Sequence, residues 1–236
     1  MRILHRDEHV LAVDKPAGVL SVPGRDAGEA SVWRQVQELA PEALPVHRLD
    51  RDTSGVLLFA LGAEAHRALS LAFEGRRAEK RYLALCRGDL TRPSLCELAL
   101  TEGRKGRMRV VAVGGAGRSG KGAMPSVTAF SPEERFGAAT LVLAQPRTGR
   151  THQIRVHLAA LGLPLLIDPR YGDKGPVRAR DLDPAAGEQT ALTRTPLHAA
   201  ALRVPHPSGN GWLSVESPLP ADLLGCLALL RAARRR

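Results

Sequence analysis

The chain has 236 residues, 44% hydrophobic but only 3% aromatic, so it can bury a substantial and mainly aliphatic core in one large domain or two small ones. Lysine and arginine number 34 against 24 acidic residues, and the resulting formal charge of +10 favours a polyanionic partner such as nucleic acid. Cys86, Cys96 and Cys226 form no CxxC pair, which argues against zinc and for reduced thiols in a cytoplasm. The N-terminus is too charged for a secretory apolar segment, and the runs near Leu158–Leu166 and Leu223–Leu230 fall short of the roughly 20 residues that span a bilayer, so a soluble protein is expected.

Residues Ile3–Val13 read as two strands around a turn at Asp7-Glu8, followed by the turn Lys15-Pro16-Ala17-Gly18 and extended chain to Gly24. Ser31–Leu39 has helical spacing, with Val32, Val36 and Leu39 on one face, and Pro41 and Pro45 end it. Val56–Ala60 is an uninterrupted apolar run of the type found in buried strands. Ala63–Phe73 reads as an amphipathic helix and Lys80–Arg87 as a strand. Arg104–Lys121 is Gly-rich and holds Arg104, Lys105, Arg107, Arg109, Arg118 and Lys121 without an acid among them, which predicts a mobile loop flanking a strand at Met108–Val113. It is either a solvated insertion or a nucleic-acid phosphate contact, and the unpaired charge favours the latter. Val127–Phe130 and Ala138–Leu143 resume strand character. Thr151–Leu161 is expected to be a helix capped by Thr151 and ended by Gly162. Asp173–Thr195 reads as loop with one helical turn, Leu197–Val204 and Trp212–Ser217 as a strand pair, Ala221–Arg231 as a helix and Arg234–Arg236 as a frayed basic tail. Short strands with few helices between them predict an α+β fold with a mixed, largely antiparallel sheet and flanking helices.

Chemistry concentrates in four places. His47-Arg48-Leu49-Asp50-Arg51-Asp52-Thr53-Ser54-Gly55 sets a carboxylate among cations at the entrance to a rigid strand, where a reactive side chain can be held still. Read bare, such an acidic–basic cluster is more often only a salt-bridged turn. The others are Lys80-Arg81-Tyr82, the run Thr148–Leu158 that holds Gly149-Arg150-Thr151-His152-Gln153-Ile154-Arg155-Val156-His157, and Leu197-His198-Ala199-Ala200-Ala201-Leu202, followed by His206-Pro207-Ser208-Gly209. Each has a plain structural reading. Tyr82 suits a cross-strand position, His198 a hydrogen-bonded place in the sheet, and Arg150 and Arg155 a solvated helix face. His152 and His157 are five apart, not four, so they do not make a helical metal-ligand pair.

Taken together, an N-terminal Lys-Pro-x-Gly turn, HRLDxxTSG, Lys-x-Tyr, GRTHQIRVH and HAxxL resemble, in order and approximate spacing, the RluA family of RNA pseudouridine synthases. The resemblance runs from Ile3 to about Leu223. The segment Lys15–Arg25 and the short length look most like the family's short founding member. The resemblance implies the pseudouridine synthase fold, a catalytic domain over residues 1–225, a helix end and basic tail over 226–236, and no appended RNA-binding domain. It also implies isomerisation of uridines in a ribosomal or transfer RNA stem-loop, with no cofactor or metal, by a cytoplasmic protein taken to be a monomer. By the same resemblance Asp50 is the catalytic residue, Arg155 pairs with it, Tyr82 stacks on the uracil, Leu202 walls the base and Arg48 holds the flipped nucleotide. RNA contacts are expected from His47, Lys15, Arg150, Arg104, Lys105, Arg107 and Lys121. Leu163 and Ile167 depart from the family's usual His and Gly, which puts the turn near Asp168 in question. Two other readings fit parts of the pattern: an inactive RNA binder of the same fold, and a glycoside or nucleoside hydrolase, which would ordinarily need a second carboxylate.

Overall fold

The computed structural model describes residues 1–24, 29–103, 106–111 and 122–236. Arg25, Arg104, Lys105, Arg118 and Lys121, and with them most of the predicted cationic loop, lie outside the described residues. The chain divides into two compact units, Met1–Tyr82 with His198–Leu219, and Leu83–Leu197 with Pro220–Arg236.

The first unit contains β1 (Arg2–Arg6), β2 (Val10–Lys15), α1 (Val32–Leu39), β3 (Ala43–Pro45), β4 (Ser54–Leu61), α2 (Ala63–Glu74), β13 (Leu197–Pro205) and β14 (Trp212–Glu216). Its strands run β1-β2-β4-β13, with β3 also on β4 and β14 on β13. β4 is buried along its whole length, as its apolar run predicts. Strand alternation sends its side chains to two cores. Val56, Leu58 and Ala60 pack with Ala65 and Leu69 of α2, while Leu57, Phe59 and Leu61 pack with Val32 and Val36 of α1. Each fully buried Val, Leu or Phe of this strand contributes about 1.5–3 kcal/mol of transfer free energy. The α1 stripe runs Val32, Val36, Ala40; Leu39, expected on that face, is half exposed at the helix end. Ser31 caps α1 by accepting from Arg34 N.

The register fixes one glycine. His198 lies opposite Ser54 and Ala199 opposite Gly55 where β13 meets β4 in parallel. Gly55 has φ +109°, and a Cβ there would stand 2.2 Å from the Ala199 carbonyl oxygen. Only glycine satisfies both conditions. The TSG end of the Asp50 motif is thus a packing requirement.

β5 (Glu79–Arg87) carries the chain from the first unit into the second. The second unit continues with β6 (Ser94–Cys96), β7 (Leu100–Glu102), β8 (Met108–Val110), β9 (Thr128–Arg135), β10 (Ala139–Pro146), α3 (Gln153–Ala160), β11 (Val177–Arg178), α4 (Ala179–Leu182), β12 (Thr190–Leu192) and α5 (Ala221–Arg234). Its sheet runs β5-β10-β9-β6, and β7–β8 and β11–β12 are separate antiparallel pairs. The mixed, mainly antiparallel α+β architecture agrees with the sequence expectation.

Three local expectations are corrected. Thr151 is exposed and does not cap α3; the cap is His152, in the left-handed region at φ 53°. Asp173–Thr195 contains a β-pair as well as the helical turn. The C-terminal tail is not frayed: α5 runs to Arg234, Arg231 pairs with Glu134 at 2.7 Å, and Arg236 pairs with Asp183.

Candidate active site

Asp50 sits on a turn closed by the Thr53 N–H, which donates to the Asp50 carbonyl at 3.1 Å. Both flanking peptides are tied down. Ser21 Oγ donates to the Leu49 carbonyl and accepts from the Leu49 N–H, each at 2.9 Å. The Arg51 carbonyl accepts from Lys15 Nζ at 2.8 Å and from Gly18 N–H at 2.9 Å. Lys15 Nζ also donates to Pro16 O at 2.9 Å and Val19 O at 2.6 Å. Lys15 is fully buried, and an ammonium has three N–H groups. The expected RNA contact from Lys15 is therefore corrected: this lysine fastens the Lys-Pro-x-Gly turn to the peptide after Asp50. Beyond the turn, Ser54 Oγ lies 2.9 Å from His198 Nδ1, whose Nε2 lies 3.1 Å from Ser217 O, the in-sheet role expected for His198.

Tyr82 packs against the α1-side core. Burial pushes its phenol well above the ordinary range, and the Asp50 charge pushes it further, so the hydroxyl rests protonated beside the carboxylate. Lys80, two residues earlier and hence on the same strand face, is lowered to about 8 by burial. His47 is lowered to about 3 by burial and by the Lys80 charge. Its Nε2 accepts from Leu58 N–H at 2.9 Å, and its ring stacks on Phe73 at 5.0 Å and 19°. His47 is thus a neutral ring that pins the motif to β4, while Arg48 beside it is exposed. Leu202 is corrected. It is 3% exposed and belongs to the α2-side core, whereas Tyr82 faces the α1 side. The parity of β13 puts Ala199, not Leu202, on the Tyr82 face.

The second unit organises the Thr148–Leu158 motif. Thr148 Oγ1 donates to Gln153 Oε1 at 2.7 Å, and Gln153 Nε2 donates to Val127 O and Thr128 Oγ1 at 3.0 and 2.9 Å. His157, one turn on, is fully buried, lies 3.0 Å from Thr128 Oγ1 and 2.9 Å from Leu98 O, and has its pKa lowered by burial. Gln153 and His157 thus fasten α3 to β9. Arg150 is partly exposed and donates to Pro125 O at 3.3 Å.

Arg155 is buried, and its Nε and Nη2 donate to the two oxygens of Asp168, each at 2.8 Å. Asp168 Oδ1 also accepts from the N–H groups of Arg170 and Tyr171 at 3.0 and 3.1 Å. Burial alone would raise the Asp168 pKa; the Arg155 hydrogen bonds and charge and the two backbone donors outweigh it and hold the carboxyl below its usual range. Tyr171 lies under the Arg155 guanidinium at 5.3 Å, and its hydroxyl is 2.8 Å from His152 Nδ1. Sequence reasoning singled out the turn near Asp168 but missed the pairing of Asp168 with Arg155 and the role of Tyr171. The signal was Asp168-Pro169-Arg170-Tyr171-Gly172, an Asx turn in which an aspartate collects the N–H groups two and three residues on. Leu163 and Ile167, the departures flanking this turn, are 8% and 2% exposed, so they are accommodated as core.

Comparison with known proteins identifies the family. The profile of the family described as RNA pseudouridylate synthase matches residues 9–160. The chain is 40% identical over 242 residues to ribosomal large subunit pseudouridine synthase C of Escherichia coli, covering 98% of this chain and 70% of that protein. It is 35% identical to ribosomal large subunit pseudouridine synthase D of Nitrosomonas europaea, covering 98% and 65% respectively. Among solved structures, human RNA pseudouridylate synthase domain containing 1 matches with a TM-score of 0.69 at 28% identity, covering 98% of this chain and 94% of that one. Human RNA pseudouridylate synthase domain containing 4 shares the fold, with a TM-score of 0.79 at 23% identity over 98% and 93%. With the motifs, the fold and these relatives in agreement, the chain belongs to the RluA family of RNA pseudouridine synthases.

Proposed function

We propose that this protein isomerises specific uridines to pseudouridine in structured ribosomal RNA, transfer RNA or both, with Asp50 as the catalytic carboxylate. The relatives named for the large ribosomal subunit make its RNA the first substrate to test. The reaction breaks C1′–N1, turns the uracil and joins C5 to C1′; the C5 proton leaves and N1 ends protonated. It is redox-neutral and needs no energy input, so the reading requires no cofactor, and it takes the enzyme to be a cytoplasmic monomer. The target base must leave its stack, which costs a few kcal/mol that phosphate contacts and stacking offset.

The observation that carries the reading is the carboxylate of Asp50, on a turn held at both neighbouring peptides, with its charge felt by the Tyr82 phenol. Asp50 acts as nucleophile at C1′, as nucleophile on the uracil ring, or as base toward a sugar proton. Each route leaves it uncharged, as ester or acid. That removes the part of the Tyr82 elevation due to Asp50 and makes phenolate formation easier at the stage when the C5 proton must be taken. By the family resemblance alone, Arg155 is the partner of Asp50, and Arg48 and Arg150 contact the nucleotide and its phosphates.

The test is release of tritium from RNA labelled at uridine C5. The wild type is expected to release it without free uracil, and Asp50→Asn to release none. Liberated uracil would point to a hydrolase; neither product from any cellular RNA would point to an RNA binder.

A further inference from the structure

The β7–β8 hairpin and α3 form an open groove of about 990 Å3 within the second unit. Its floor is apolar, built on Met108 and Val156, which are 4% and 5% exposed, and it extends to Ala160 at the end of α3. Its rim is cationic: Arg107 and Arg109 are exposed, against one lining carboxylate, Glu102. Tyr171 also lines it. The Tyr171 hydroxyl accepts from Met108 N–H at 3.0 Å, and its ring lies under Arg107 at 5.6 Å as well as under Arg155. The aromatic wall is thereby held still.

We propose that this groove seats an unpaired nucleotide of the RNA substrate, with its phosphodiester at Arg107 and Arg109 and its ribose and base over the Met108–Val156 floor. This rests on the reading of the protein as an RNA-modifying enzyme. A patch serving diffuse phosphate attraction would need only the cations. Here an apolar, aromatic-walled floor lies beneath them, the combination that holds single-stranded nucleic acid. The size falls within the range of clefts that enclose a single small ligand. Tyr171 also joins the groove to Arg155, so occupancy touches a residue already assigned to the reaction. A paired nucleotide keeps its base inside the duplex and cannot reach the floor, so the groove selects for unpaired RNA.

The experiment uses the full chain carrying Asp50→Asn, so that binding is read without turnover, and titrates a single-stranded dodecauridylate against a duplex RNA of equal length. Arg107→Ser with Arg109→Ser, and separately Ala160→Trp, which obstructs the groove without changing charge, are each expected to weaken single-strand binding at least fivefold and the duplex less than twofold. The arginine pair should also lower the slope of log K against log salt by about 1–2. Thermal melting confirms that both variants fold. An effect of the arginine pair with none from Ala160→Trp overturns the groove in favour of diffuse charge, as does equal weakening on both RNAs. Tritium release by the unsubstituted protein is measured in parallel; its failure would count against the function and leave the binding comparison to judge the groove.

Discussion

Arg155 and Asp168 form a bidentate ion pair, both hydrogen bonds at 2.8 Å, with side chains 9% and 1% exposed. The two residues are 13 apart in sequence. Their pairing locks the start of α3 to the Asp168–Gly172 turn, whose backbone N–H groups the same carboxylate collects.

Arg155→Ala should therefore destabilise the protein by about 3–5 kcal/mol, because it strands a buried carboxylate. Arg150→Ala, which removes a partly exposed side chain, should cost well under 1 kcal/mol. The folded pKa of Asp168 is depressed, so the pair's contribution is present above the unfolded carboxylate pKa and is lost as pH falls below about 4. Melting curves of wild type and Asp168→Asn should lie furthest apart near neutrality and converge in acid. Parallel curves would remove this pair from the acid response.

Tyr82→Phe keeps the ring and loses the hydroxyl. Breakage of C1′–N1 should survive better than completion, because the hydroxyl is assigned to removal of the C5 proton. Single-turnover experiments with RNA labelled at C5 should show product and tritium release slowed together, by about 10²–10⁴-fold for a lost general base. Unchanged rates would free the hydroxyl of that role.

Much of this site was legible because the motifs are local strings. The burial of Val56–Ala60, the helix that becomes α1 and the in-sheet His198 follow from periodicity and side-chain chemistry. What stayed hidden depends on three-dimensional partners. Leu202 and Ala199 both lie on one apolar strand, and only the register against β4 says which faces Tyr82. Lys15 and Arg48 are both cations beside a catalytic motif, yet one is fully buried on carbonyls and the other is exposed. β3 was concealed by Pro45, which reads as a breaker but sits at the end of a short strand opposite Phe59.

Gly55→Ala should be among the most damaging single-methyl changes in the chain. The new Cβ would stand 2.2 Å from the Ala199 carbonyl oxygen at a backbone φ of +109°. Overpacking alone costs about 1–3 kcal/mol, and the backbone strain adds to it. The shift needed to relieve it would part β13 from β4 next to the Asp50 turn. Loss of melting temperature together with activity is expected; a variant as stable as wild type would show that this strand contact yields freely.

Lys15→Met separates two roles for the same residue. Methionine keeps an apolar stem of similar length and removes the three N–H groups that reach Pro16 O, Val19 O and Arg51 O. The Arg51 carbonyl would retain only the Gly18 N–H, and the peptide after Asp50 would be held on one side less. Leaving buried acceptors short of a partner costs about 1–3 kcal/mol, so the fold should weaken without collapsing. Displacement of a reacting group by about 1 Å can cost on the order of 10²-fold in rate. A positioning lysine therefore predicts a fall in kcat, with KM and the salt dependence of RNA binding close to wild type. A phosphate-contacting lysine predicts the reverse: higher KM, a salt slope reduced by about 1, and unchanged turnover at saturating RNA. Ser21→Ala, which frees the peptide before Asp50 and carries no charge, should reproduce the kcat effect in milder form. Kinetics at several salt concentrations on both variants decide the matter, and a KM effect confined to Lys15→Met would return that lysine to the RNA surface.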